Sequence, residues 1–253
     1  GTLSNLSLPS IVKALGKEVF KNSLRLKHIT VPNSVIAIGA YAFLSCCSLT
    51  AISLPDSVRF IGKGAFCNCN ELQSINLPKR ISILSERIFE DCHKLQSIQI
   101  PNSVTIINES AFENCHKLNS IQIPNSITSI ESSAFENCAS FTYITIPDSV
   151  QSISSSAFFG CNELKAIKLP KHLKSIREYT FYCCGELKNI NIPDSVTSIG
   201  HEAFSGSGLT SLTIPDSVIE VNVEAFDSCR DLNKIKLPAN LTCIDNQTFG
   251  ECE

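Results

Sequence analysis

No apolar run in this sequence approaches the roughly 20 residues needed to cross a bilayer as a helix, so none of it reads as a transmembrane helix. A surplus of basic charge is missing too. Lys and Arg number 21 against 24 Asp and Glu, for a net charge of −3. No bulk attraction to nucleic acid or to an anionic membrane follows from that balance. There is no Gly-rich phosphate loop, no His-Glu-x-x-His and no nucleophile elbow, which leaves the common catalytic motifs unrepresented. No signal-peptide pattern opens the chain. It starts in repeat register at Leu3, so a targeting segment is expected to have been removed or never to have been there. Met and Trp are absent as well, and their absence excludes nothing.

What is present is a period. All eleven prolines, from Pro9 to Pro238, close versions of one phrase, Leu-Asn-Ser-Ile-Gln-Ile-Pro at Leu118 to Pro124. They recur every 23 residues, except for one step of 22 between Pro193 and Pro215. A fixed period of this length predicts a repeat solenoid of about eleven coils of 23 residues. Because the repeat is uninterrupted, residues 1–253 are expected to form a single domain. Neither end carries a polar cap, so the chain is expected to be a fragment of a longer protein.

Within a coil, Leu118, Ile121 and Ile123 predict a first short strand, with Ile121 and Ile123 alternating with polar residues. Pro124 ends it, having no N–H to donate. An Asn-Ser or Asp-Ser turn follows, as at Asn102-Ser103 and Asp148-Ser149. The apolar pair after it, such as Val104 and Ile107, predicts a second, shorter strand. Phenylalanine then fills one slot in every coil from Phe20 to Phe249, and its flanks suggest a single helical turn. No coil can bury its own apolar side, so the core should be ladders of Leu, Ile, Val and Phe shared between coils about 4.8 Å apart.

There are thirteen cysteines, nine of them three residues after the repeat phenylalanine, including Cys92, Cys115 and Cys138. Stacked side chains at one slot point the same way, so a ladder of small buried thiols is expected in place of a disulfide framework. Serine at this slot in two coils, Ser23 and Ser207, fits the same reading. Cys92-His93 and Cys115-His116 recur one coil apart and supply zinc-type ligands. Neighbours along an extended chain face opposite ways, so no metal site is expected there, and no cofactor. Glu90, Glu113 and Glu136 share a slot that reads as a solvated row. Asn5, Asn108, Asn240 and Asn246 head glycosylation sequons.

Leu-x-x-Ile-x-Ile-Pro-x-Ser-Val-x-x-Ile followed by Ala-Phe-x-x-Cys, nearly whole at Leu118–Cys138 and Leu187–Phe204, resembles the BspA-like, or Treponema-pallidum-type, leucine-rich repeats across the whole chain. The resemblance implies a right-handed leucine-rich-repeat coil of short parallel strands with brief helical turns; no enzymatic activity is expected, because no catalytic constellation converges among the residues. The resemblance also implies a surface or secreted protein that adheres to host, matrix or other cell proteins. An intracellular scaffold for protein–protein interaction is the alternative, with a cytoplasmic setting, and a glycan is a further ligand class.

Residues between the strand leucines would form the binding face. Most are small and neutral. Three features stand out. Five residues after the proline, Phe60, Ile83 and Ile106 replace the serines of later coils; they read either as an exposed contact stripe or as a partly buried slot. Lys165, Lys168 and Lys188 concentrate positive charge that would suit an acidic partner or form a solvated cluster. Tyr143 is an isolated aromatic on the strand face.

Overall fold

The computed structural model describes residues 4–252. Leu3, the expected first repeat leucine, lies outside them. The described residues form a parallel β-solenoid in which every coil but the one around Ile190 contributes a three-residue strand and most contribute a second strand of two residues. The register is one repeat throughout: Ser97–Gln99 pairs in parallel with Ser120–Gln122, setting Ile98 beside Ile121, and Ile107 lies beside Ile130. The first strands pair two by two. The second strands make sheets of three, four and three.

Alternation decides which residues go inside. In Ser97–Gln99 the central Ile98 is buried and its neighbours are exposed. Behind it run ladders of fully buried Leu95, Val104, Ile107 and Phe112 and their counterparts. The eleven repeat phenylalanines form one unbroken file from Phe20 to Phe249, adjacent ring centres lying between 5.1 Å (Phe43–Phe66) and 5.8 Å (Phe66–Phe89) apart. Burying each ring is worth roughly 1.5–3 kcal/mol, and a lone coil has nothing to bury it against.

The proline corner ties coils together. Val104 N–H donates to the Pro101 carbonyl at 3.0 Å, closing a turn. Within that turn the Ser103 hydroxyl donates to the Ile81 carbonyl of the preceding coil at 2.6 Å. Ser34, Ser57, Ser195 and Ser217 do the same in their coils. In these five coils the repeated serine is an inter-coil donor, whereas the hydroxyls of Ser126 and Ser149 in the same slot are buried without a partner. Asp148 adds another bond, its Oδ1 accepting the Lys171 N–H at 3.0 Å.

The expected helical turn around phenylalanine is not there; no described residue is helical. Two residues before and two after every repeat phenylalanine the backbone is left-handed, as at Ser110 (φ 54°) and Asn114 (φ 58°) around Phe112. A right-handed helix cannot contain such residues. Instead, alternate amides serve two purposes. Ser110, Phe112 and Asn114 donate to the next coil at 2.8–2.9 Å, while Ala111, Glu113 and Cys115 close turns within their own. The arc is thus a third hydrogen-bonded ladder between coils.

The 22-residue coil is short by one residue at the bend after Ser207. A Cβ on Gly208 would stand 2.0 Å from the Gly185 carbonyl oxygen, so only glycine fits this close approach. The register recovers at once, with Leu209 fully buried and Leu212 paired with Ile235.

Candidate binding face

The outward residues of the first strands make one continuous polar surface. Along it the rows run through Ser97 beside Ser120 and Gln99 beside Gln122, then Tyr143 beside Ala166 and Thr145 beside Lys168. Small neighbours leave Tyr143 standing clear, 59% exposed. Its hydroxyl accepts a hydrogen bond from the Thr145 Oγ1 at 2.9 Å, which lays the ring along its own strand. Tyr143, Lys168, Gln122, Asn125 and Asp148 line an open hollow of about 700 Å³ floored by Ile144 and Ile146. The structure therefore brings Tyr143 and Lys168 together. Lys165 is exposed in the same coil but does not line the hollow.

Lys188 stands apart from them. Its ammonium donates to Asp231 Oδ2 at 2.9 Å, reaching 43 residues along the chain. It spans the short coil above Gly208, whose missing side chain leaves room for it; an added Cβ would sit 3.0 Å from Nζ. Sequence gave no sign of this pairing.

The apolar stripe is on the adjacent surface, past the proline corner. Ile83 and Ile106 are direct partners in one sheet and both are half-buried. Phe60 ends the preceding sheet, paired with Ala37, and is 53% exposed.

The cysteines are explained by geometry. Each ladder thiol donates to the carbonyl of the phenylalanine one coil back, from Cys46 on Phe20 to Cys252 on Phe226, at 3.1–3.3 Å. Burial pushes the Cys46 thiol up to about 12 and raises Cys92, Cys115 and Cys138 well above the ordinary thiol value. Off the ladder, Cys67 donates to Glu90 Oε2 at 3.3 Å, and burial together with that carboxylate lifts it to about 12. Such thiols stay protonated and unreactive at neutral pH.

Cys92 and Cys115 point into the core, while His93 and His116 stack on the outside with ring centres 4.9 Å apart. Their Nδ1–H groups donate to the Asn114 and Asn137 carbonyls at 3.0 Å. The four residues do not converge. A different group does: His201, Glu202 and Glu224 bring three ligand atoms within 4.8 Å of one another. Sequence reasoning missed it, although Glu202 and Glu224 both sit two residues before a repeat phenylalanine. In the acidic row, burial raises the Glu90 carboxyl against the opposing pull of Cys67 and Arg87, and burial likewise raises Glu136. Among the sequons, the Asn108 amide is tied to the Leu84 carbonyl at 2.8 Å.

Among the described residues no helix is long and apolar enough to cross a membrane. No curated protein sequence matches the chain. Solved structures do. A leucine-rich repeat protein from Bacteroides ovatus is 28% identical with a TM-score of 0.75, over 98% of this chain and 76% of that one. A leucine-rich cell surface protein from Faecalibacterium prausnitzii is 24% identical with a TM-score of 0.63, over 100% and 86%. The pneumococcal vaccine antigen PcpA is 20% identical with a TM-score of 0.59, over 94% and 62%. At those identities the last two show the fold alone. The profile of the BspA type leucine-rich repeat region matches over residues 2–107, 36–162, 82–209 and 128–253, which together span nearly the whole sequence. With its period, its strand register and its phenylalanine file, the chain belongs to the BspA-type leucine-rich-repeat family.

Proposed function

We propose that this chain is a non-catalytic binding module that adheres, at a cell surface, to a host, matrix or other cell protein. The observation that carries the reading is the hollow in which Tyr143 and Lys168 face solvent amid small polar neighbours. An exposed tyrosine offers a large apolar area at small entropic cost, and a lysine beside it adds complementarity toward acidic groups. Leucine-rich-repeat folds generally bind proteins, and one similar structure is described as a cell surface protein. Lys165 extends the basic side of this face. Phe60, Ile83 and Ile106 supply a second contact on the adjoining surface, and Lys188 holds the coils that shape the face.

A second reading, an intracellular scaffold, draws on the cysteines: all thirteen are free thiols, the form that the cytosol maintains. Binding of the purified chain to intact cells and to immobilised matrix proteins separates the two. Saturable binding supports adhesion. No binding to any such surface, with capture of soluble proteins by the same strand face, favours the scaffold.

A further inference from the structure

The turn edge of the solenoid carries a group that neither the fold nor the binding face explains. Glu202 and Glu224 occupy the same left-handed slot in successive coils (φ 48° and 58°), two residues before Phe204 and Phe226. Coil stacking therefore holds two carboxylates side by side. Among the described residues, no Lys or Arg forms an ion pair with either; the pairing present is His201 with Glu202.

The imidazole sets the chemistry. A ring nitrogen facing a backbone carbonyl must donate, so His201 Nδ1 carries a proton toward the Val223 oxygen at 2.9 Å. A neutral imidazole has no second N–H. Yet Nε2 faces Glu202 Oε1 at 3.0 Å, and one ligand atom from each of His201, Glu202 and Glu224 lies within 4.8 Å of the others. Lone pairs thus converge from three side chains, and a cation belongs between them, either a proton or a metal ion. Carbonyl-held Nδ1–H with Nε2 turned toward carboxylates is the arrangement that orients a metal-ligating histidine. The Tyr179 ring packs edge-on against His201, centroids 5.2 Å apart, and backs the imidazole from the preceding coil.

We propose that His201, Glu202 and Glu224 form a binding site for a divalent transition-metal cation of the zinc class, clipping two adjacent coils together at their turn edge. One imidazole nitrogen and two carboxylate oxygens suit zinc, with water completing the tetrahedron.

The test titrates zinc into the full chain carrying Cys243→Ser, which removes the exposed thiol, and repeats the titration with Co²⁺ as a spectroscopic probe. The expected result is one metal per chain. Cobalt should give weak visible bands without the strong thiolate charge-transfer absorption. Glu224→Gln and His201→Ala should each weaken binding by about tenfold or more. Gln247 already fills the same left-handed slot one coil on (φ 52°), so Glu224→Gln is compatible with the fold. Three results overturn the proposal: no binding, which leaves an imidazolium–carboxylate pair; a thiolate band with cobalt; or an affinity unchanged in both variants.

Discussion

Cys138 donates its thiol proton to the carbonyl oxygen of Phe112, one coil back, at 3.2 Å. That carbonyl already accepts the Cys115 amide at 3.1 Å, so the thiol fills its second lone pair. The recurrent cysteine is thus a small donor that fits a dry corner.

Keeping a small donor should cost little, and replacing it with a bulkier group that cannot donate should cost more. Cys138→Ser keeps a small donor, and serine already fits this slot at Ser207, buried with its hydroxyl 3.3 Å from the Cys229 thiol; the change should be nearly neutral. Cys138→Val loses the bond and adds a branch to a packed site, for an expected loss of about 1–3 kcal/mol. Urea unfolding midpoints of the two variants check this.

Thiol chemistry should follow the same map. At pH 8 in the native protein, exposed Cys243 reacts promptly with a thiol reagent, and Cys243→Ser abolishes that phase. Cys46 and Cys67, both raised to about 12, should react only as the chain unfolds. Stopped-flow titration with and without denaturant reads both.

The acidic row predicts a pH dependence. Burial raises Glu136 above its ordinary carboxyl value of 4.5, so the folded state binds its proton more tightly than the unfolded chain does. The associated stability is complete below that ordinary value and is lost as pH rises through the raised one. Glu136→Gln should therefore melt higher than wild type at pH 7, and the difference should vanish below the ordinary carboxyl value. Thermal melts across that range check the sign.

The short coil makes a steric prediction. Gly208→Ala forces a Cβ against the Gly185 carbonyl, whereas a Cβ at Gly185 meets nothing within 4 Å. Gly208→Ala should cost about 1–3 kcal/mol and Gly185→Ala should be tolerated, as denaturant melts would show.

Much of the architecture was legible because a solenoid writes its core into its period. Leu118, Ile121, Ile123, Phe135 and Cys138 recur in slots that can be buried only by their own copies. The turn was misread because Ala-Phe-x-x-Cys has helical spacing. The contrary signal was Gly64, Asn68, Asn114, Asn137, Gly160 and Gly206, residue types tolerant of positive φ, two positions either side of phenylalanine. Tyr143 and Lys168 could be singled out on the strand face, but their shared hollow depends on small neighbours one coil away. The pairing of Lys188 with Asp231 was hidden because it crosses the one coil that breaks the period.

The measurement that tests the account most directly is the affinity of Tyr143→Ala, with Ile83→Glu alongside, for whichever cell surface or matrix protein the wild-type chain binds. The account predicts a loss on the order of tenfold or more for Tyr143→Ala, a smaller loss for Ile83→Glu, and unchanged melting for Tyr143→Ala. Wild-type affinity in both variants would contradict it and place the contact surface elsewhere on the solenoid.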